Sequence, residues 1–168
     1  KEHNSVDQIK FRISANGGKK FNNEEANAVG NYNVLLEACP AEVWDFASTT
    51  WEQSHEKFHT AFAAFPWEVL EVYSGPPKVG FSWRHWGYFT GTYEENEGGG
   101  ELVEMFGFCT ATVNENLQIC DLEVYYNAKD FIGVLRGQKK VEETNSSWNA
   151  GAACPLAKMA KVNETPQM

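Results

Sequence analysis

Four titratable side chains stand inside runs that otherwise read as apolar strands. His85 lies in the aromatic stretch Val79 to Tyr93, VGFSWRHWGYFTGTY; Glu104 lies in the run from Leu102 to Val113; Asp121 and Glu123 share the run from Leu117 to Tyr126. A carboxyl group enclosed by aromatic rings has its pKa raised by desolvation, and a second carboxylate nearby favours a shared proton. Such a group moves protons near neutral pH. The chemistry indicated is general acid/base work on a small, mostly apolar carbonyl or enol compound. Asp121 is then the base, His85 or Tyr125 the hydrogen-bond donor to developing oxyanion charge, and Glu104 or Glu123 the partner that fixes the proton. A plainer reading stands beside it. Strand carboxylates commonly face solvent or pair with arginine, here Arg84, and a strand histidine is commonly a satisfied core residue. Whether the chain is an enzyme stays open at this point.

Other patterns are weaker. His55-Glu56-Lys57-Phe58-His59 matches HExxH, but that metal site needs a third ligand, and no histidine follows His85. The expectation is one histidine packed against the sheet and one on the helix flank, with no metal. Cys39, Cys109, Cys120 and Cys154 have no CxxC spacing. If Cys109 and Cys120 sit on adjacent antiparallel strands they could approach one another; buried free thiols fit equally well. There is no nucleophile elbow, phosphate loop or dinucleotide fingerprint, so no cofactor is expected. Gly98-Gly99-Gly100 lacks the lysine and helix that phosphate binding requires.

The elements that position these groups follow from periodicity. Asn22 and Glu25 read as a capping box opening a helix over about 23 to 37, and Pro40 opens a short helix carrying Val43, Trp44 and Phe46. Thr50 with Gln53 caps a third helix to about Ala64, with Trp51, His55, Phe58 and Phe62 on one face. After Pro66, Trp67 to Tyr73 alternates, and Ser74-Gly75-Pro76-Pro77 turns the chain into the aromatic stretch as a long hairpin.

On that stretch Val79, Phe81, Trp83, His85, Gly87 and Phe89 share one face, and Ser82, Arg84, Trp86, Tyr88 and Thr90 the other. Glu94 to Gly100 is an exposed loop. Next, Glu104, Phe106 and Phe108 oppose Val103, Met105, Gly107 and Cys109; then Ile119, Asp121, Glu123 and Tyr125 oppose Cys120, Leu122, Val124 and Tyr126. Asp130 caps a short helix that Gly137 stops, and Ala152 to Met159 forms an accessory helix in the tail. The fold class is α+β, with helices packed on a four-stranded antiparallel meander. Residues 1–21 form an irregular or weakly β lead-in, 22–137 the domain, and 138–168 an extension.

The 168 residues suffice for one such domain, and apolar and aromatic fractions of 42% and 14% indicate a folded globule. A net charge of −9 leaves no basic footprint for nucleic acid or anionic lipid. No apolar run approaches a membrane span. The triplets Asn145-Ser146-Ser147 and Asn163-Glu164-Thr165 match the glycosylation pattern, so the compartment stays open between cytoplasm and secretion.

The words themselves carry a further signal: AVGNYNVLL at Ala28 to Leu36, SHEKFHTAF at Ser54 to Phe62, WEVLEVYSGPP at Trp67 to Pro77, FSWRHWGYFTGTY at Phe81 to Tyr93, GELVEMFGF at Gly100 to Phe108, and LQICDLEVYYNAKDF at Leu117 to Phe131. In this order they resemble the SnoaL-like branch of the NTF2-like superfamily, and within it the plant pathogen-related type and its fungal relatives. The resemblance implies a cone-shaped barrel, with helices on a strongly curved sheet and a cavity between them. It implies a homodimer through the outer sheet face and a small apolar or aromatic molecule as partner. Ligand-contacting positions are then expected at Trp83, Phe89, Phe106, Glu123, Tyr125, His55 and Phe58. Three readings follow: a cavity that binds a small molecule; an isomerase, cyclase or dehydratase using Asp121; and an interaction dimer whose cavity is filled by Trp83, Phe89, Phe106 and Tyr125. The branch's strand pattern is W-x-x-x-G-T-H-x-G. Trp83, Gly87 and Gly91 match it, while Tyr88 replaces its threonine and Phe89 its cavity histidine. That weakens cyclase chemistry and leaves His85, on the same face, as a substitute.

Overall fold

A computed structural model describes residues 11–141. Two short strands come first, β1 (Arg12–Ala15) and β2 (Phe21–Asn22), followed by helices α1 (Asn23–Val29), α2 (Asn31–Leu36) and α3 (Trp51–Ala61). The strands β3 (Trp67–Val72), β4 (Lys78–Phe89), β5 (Thr92–Tyr93), β6 (Asn96–Glu97), β7 (Glu101–Val113) and β8 (Ile119–Tyr126) complete the sheets, and α4 (Ala128–Leu135) follows. The main sheet runs β2-β1-β8-β7-β4-β3, while β5 and β6 form a small ladder inside the acidic loop.

The antiparallel meander holds as expected: β3 pairs β4 across the proline turn, β4 pairs β7, and β7 pairs β8. The lead-in is more ordered than its weak pattern suggests. β1 runs parallel to β8, matching Ile13 to Leu122 and Ala15 to Val124. Four residues of modest alternation give little local signal, and the partner that stabilises them lies at the far end of the sequence.

Three local expectations need correction. The helix over 23 to 37 is broken at Gly30, whose φ of 87° no ordinary residue adopts easily. The Trp51 indole occupies the space a side chain there would need, so α1 ends and α2 begins at a new angle. After Pro40 the chain makes successive turns instead of a helix, because Trp44 is held by a side-chain partner: its Nε1–H donates to Asn33 Oδ1 at 2.9 Å. The cap of α4 is Asn127, which accepts from the Asp130 N–H at 3.1 Å, one turn earlier than expected. By contrast Thr50 and Gln53 do form the capping box of α3, and Asn22 and Glu25 that of α1. The accessory helix over 152–159, both glycosylation-type triplets and Cys154 lie outside the described residues.

The core lies between the helices and the inner sheet face. Phe58 of α3 is its centre, with its ring stacked on Tyr32 at 4.3 Å, Trp44 at 5.8 Å and Phe131 of α4 at 6.0 Å. Burying one such ring stabilises the fold by roughly 2–3 kcal/mol. Phe62, Phe89, Val103 and Leu135 extend the same cluster. The close approach of α3 to the sheet depends on Gly91: a side chain there would collide with the carbonyl of Thr60.

Candidate functional site

The wide end of the curved sheet stays open beneath α2 and α3 and encloses a cavity of about 620 Å³. Its sheet wall is built by alternation. Trp83 and His85 of β4, Met105 and Cys109 of β7, and Leu122, Val124 and Tyr126 of β8 all point inward, joined by Ile13 of β1. Register brings them together: Trp83 pairs Gly107, His85 pairs Met105, and Cys109 pairs Val124.

The helical wall is an aromatic column. Trp51, His55 and His59 recur every four residues and so share one face of α3. Their rings stack, Trp51 on His55 at 5.2 Å and His55 on His59 at 3.9 Å. Tyr32 of α2 meets His55 edge-on at 6.4 Å. Both histidines of HEKFH therefore face the cavity, where one was expected on the flank. Among the described residues no group of three or more His, Cys, Asp or Glu is placed to hold a metal ion.

His85 has a defined tautomer. Its Nδ1 lies 2.9 Å from the Pro66 carbonyl oxygen, which can only accept, so Nδ1 carries the proton. The ring lies on Phe65 at 3.8 Å. Burial lowers its pKa to about 4, with the Pro66 hydrogen bond opposing. At neutral pH the imidazole is uncharged and presents Nε2 as a lone pair. The oxyanion-donor role expected from sequence thus has its one donor already committed to the backbone.

Trp83 forms the floor, 2% exposed, and its indole N–H has no hydrogen-bond partner among the described residues. Burial pushes the Cys109 thiol up to about 12, with the indole pulling the other way, so this sulfur stays protonated. Tyr126 spends its hydroxyl on the Leu35 carbonyl at 2.8 Å, tying β8 to α2, and burial raises its pKa strongly. Cys39, Cys109 and Cys120 are free; register sets Cys109 opposite Val124, well along the ladder from Cys120.

The carboxylates lie on the other side of the sheet. Asp121 pairs with Arg12 at 2.8 Å and Lys20 at 2.9 Å. Glu123 pairs with Lys20 at 2.9 Å and accepts from the Tyr125 hydroxyl at 3.0 Å; Lys20 holds its carboxyl below the ordinary range. Glu104 accepts from Arg84 at 2.8 Å, and Glu68 binds the same guanidinium at 2.5 Å. Phe106 shares this outer face by alternation. Asp121, Glu104, Glu123, Tyr125 and Phe106 are therefore separated from the cavity by the thickness of the sheet. Phe89 and Phe58 face inward but are buried in the core beside it. Of the positions expected from sequence, Trp83, His85 and His55 meet at the cavity.

The residues not foreseen at this site include Trp51, His59, Tyr32, Met105, Cys109 and Tyr126. A signal for the strand members existed. Once Trp83 and His85 are taken as inward, antiparallel pairing carries the inward face to Met105 and Cys109, then to Val124 and Tyr126, and away from Glu104 and Asp121.

No family model matches the chain. A curated protein of Hordeum vulgare named "Pathogen-related protein" is 35% identical over 137 residues, which cover 78% of this chain and 58% of that protein. The chain thus spans less than two thirds of this relative's length. Among solved structures, IdmH of Streptomyces antibioticus, described as a candidate polyketide cyclase, superposes with a TM-score of 0.50 at 11% identity, covering 77% of this chain and 81% of that one. AclR of Streptomyces galilaeus, described as a candidate hydroxylase, gives 0.49 at 8% identity, with 79% of each chain covered.

Proposed function

With the SnoaL-like form of the NTF2-like fold, and similar in sequence to a plant pathogen-related protein, this chain is one that we propose binds a small, largely apolar molecule in the cavity between α2, α3 and the sheet. The observation that carries this reading is the cavity itself: about 620 Å³, walled by aromatic and aliphatic side chains, with a few convergent polar atoms and, among the described residues, no carboxylate, lysine or arginine. Space of that size also counts against the reading in which Trp83, Phe89, Phe106 and Tyr125 fill the barrel. General base catalysis by Asp121 lacks support, because Asp121 is held by two cations on the far face. Native mass spectrometry of the protein from its natural source tests the proposal. A reproducible co-purifying apolar compound is expected; repeated recovery of the bare chain, with no shift in melting on exposure to a panel of apolar ring compounds, would count against it.

The outer face supports a second copy as partner. Tyr73, Tyr88, Phe108 and Tyr125 are all at least 37% exposed there. On a chain of net charge −9, the four carboxylates Glu68, Glu104, Asp121 and Glu123 of this face are largely offset by three cations, Arg84, Lys20 and Arg12. It is therefore a region where two acidic copies meet without strong repulsion.

A further inference from the structure

The helices cover the inner face of the sheet as far as β4 and stop one strand short of its edge. On β3, Trp67 pairs with His85, Val69 with Trp83 and Val72 with Phe81, so all three point to the inner side. Trp83 and Phe81 are buried there, at 2% and 9% exposure, whereas Trp67, Val69 and Val72 remain 47%, 48% and 59% exposed. An apolar strip thus runs the length of an edge strand that has no strand beyond it among the described residues. The register shift after Val69 turns Glu68 and Glu71 together to the outer side, opposite Arg84 and Ser82. Glu68 is held by Arg84; Glu71 is exposed, with no ion pair among the described residues. The edge therefore suits an apolar partner that brings positive charge.

We propose that this partner is the chain's own stretch 150–162, AGAACPLAKMAKV, lying along β3 with Leu156 and Met159 against Trp67, Val69 and Val72, and with Lys158 and Lys161 beside Glu71 and Glu68. In a chain of 23 acidic and 14 basic residues, this stretch carries two lysines and no acid. The β3 strand of a second copy fits less well, because two such edges bring four glutamates to one seam and no lysine. The connection also reaches. Phe131 of α4 stacks on Phe65 at 5.6 Å, beside Pro66, which precedes β3. Past Gly137 the chain turns back on that helix, the Gln138 and Lys139 N–H groups donating to the Gly133 carbonyl at 2.8 and 3.1 Å, and Val141 packs on the core. From Val141 to Leu156 the chain can span roughly 50 Å, enough to pass from α4 along the whole of β3. This edge contact does not depend on what the cavity holds.

Two measurements on the full chain test it. Carbodiimide coupling of an equal mixture of normal and heavy-nitrogen chains, read by mass spectrometry, should join Lys158 or Lys161 to Glu71 or Glu68 with both residues carrying the same isotope. Hydrogen exchange over residues 67–73 should be at least about tenfold faster in the double variant Leu156→Asp, Met159→Asp than in wild type, with β7 unchanged. Links between different isotopes would give the strip to a second copy's stretch and overturn the proposal. So would the absence of any link from these lysines to β3, or exchange over 67–73 that is the same in the variant.

Discussion

The indole of Trp83 lies directly over Gly107 on the neighbouring strand, in the space a side chain at that position would fill. The floor of the cavity therefore depends on a glycine in the middle of a long central strand. Gly107→Ala pushes the new methyl group into the indole and toward the Tyr125 carbonyl, and overpacking of this kind costs about 1–3 kcal/mol. Chemical denaturation should show that loss, and the emission spectrum of the tryptophans should shift as the Trp83 ring moves. An unchanged midpoint and spectrum would mean that the ring does not rest on this glycine.

His85 makes stability depend on pH. It is neutral in the folded protein and charged in the unfolded chain between pH 6.5 and about 4, so the unfolded chain binds more protons in that window. The stabilising contribution is complete above pH 6.5 and is lost as the pH falls toward 4. Allowing for partial exposure of the ring, the loss is about 2 kcal/mol. Denaturation of wild type and His85→Gln at pH 7 and pH 4.5 checks this: the variant should lose less stability on acidification by that amount.

Asp121→Asn is expected to act on the sheet edge and not on the cavity. It leaves Arg12 and Lys20 without their shared carboxylate, but both cations are largely in water, so the cost is about 1 kcal/mol or less. Affinity for a cavity probe should change less than about twofold, well under the 1.4 kcal/mol that a tenfold change represents. A large loss of binding, or of turnover should a substrate be found, would restore Asp121 to the site.

Phe108 stands exposed on the outer face beside Tyr73, with ring centroids 5.9 Å apart. Light scattering should find a dimer for the wild-type chain at micromolar concentration and a monomer for Phe108→Glu, with the melting temperature of the separated variant concentration-independent. A monomeric wild type would exclude this face as a self-association surface.

Much of the architecture is legible in the residues. Thr50 with Gln53, the prolines at 66, 76 and 77, and the alternation of β4, β7 and β8 place the helix and strands that enclose the cavity. What local pattern did not carry is the pairing of β1 with β8 and the break at Gly30, because both are set by distant partners, β8 and Trp51. The candidate site was less legible for a different reason. Alternation alone separates Asp121 from Leu122 but does not say which of them faces inward; chemistry favoured the carboxylate, whereas the cost of burying it unpaired favours Leu122. Arg12 and Lys20, the cations that hold Asp121 outside, lie in the lead-in, beyond the 22–137 bounds that the pattern gives the domain.

That lead-in has a kinetic consequence. The Tyr126 N–H donates to the Asn16 side chain across 110 residues of sequence, and β1 zips onto β8 beside it. Closing so long a loop gains nothing until both ends are in place, so this pairing is expected to form after the β4-β7-β8 meander, which pulse-labelled hydrogen exchange at Ile13 and Ala15 checks. Ile13 reaches the cavity from that same strand. A guest that touches Ile13 therefore stabilises the seam between the two ends of the sheet by mass action.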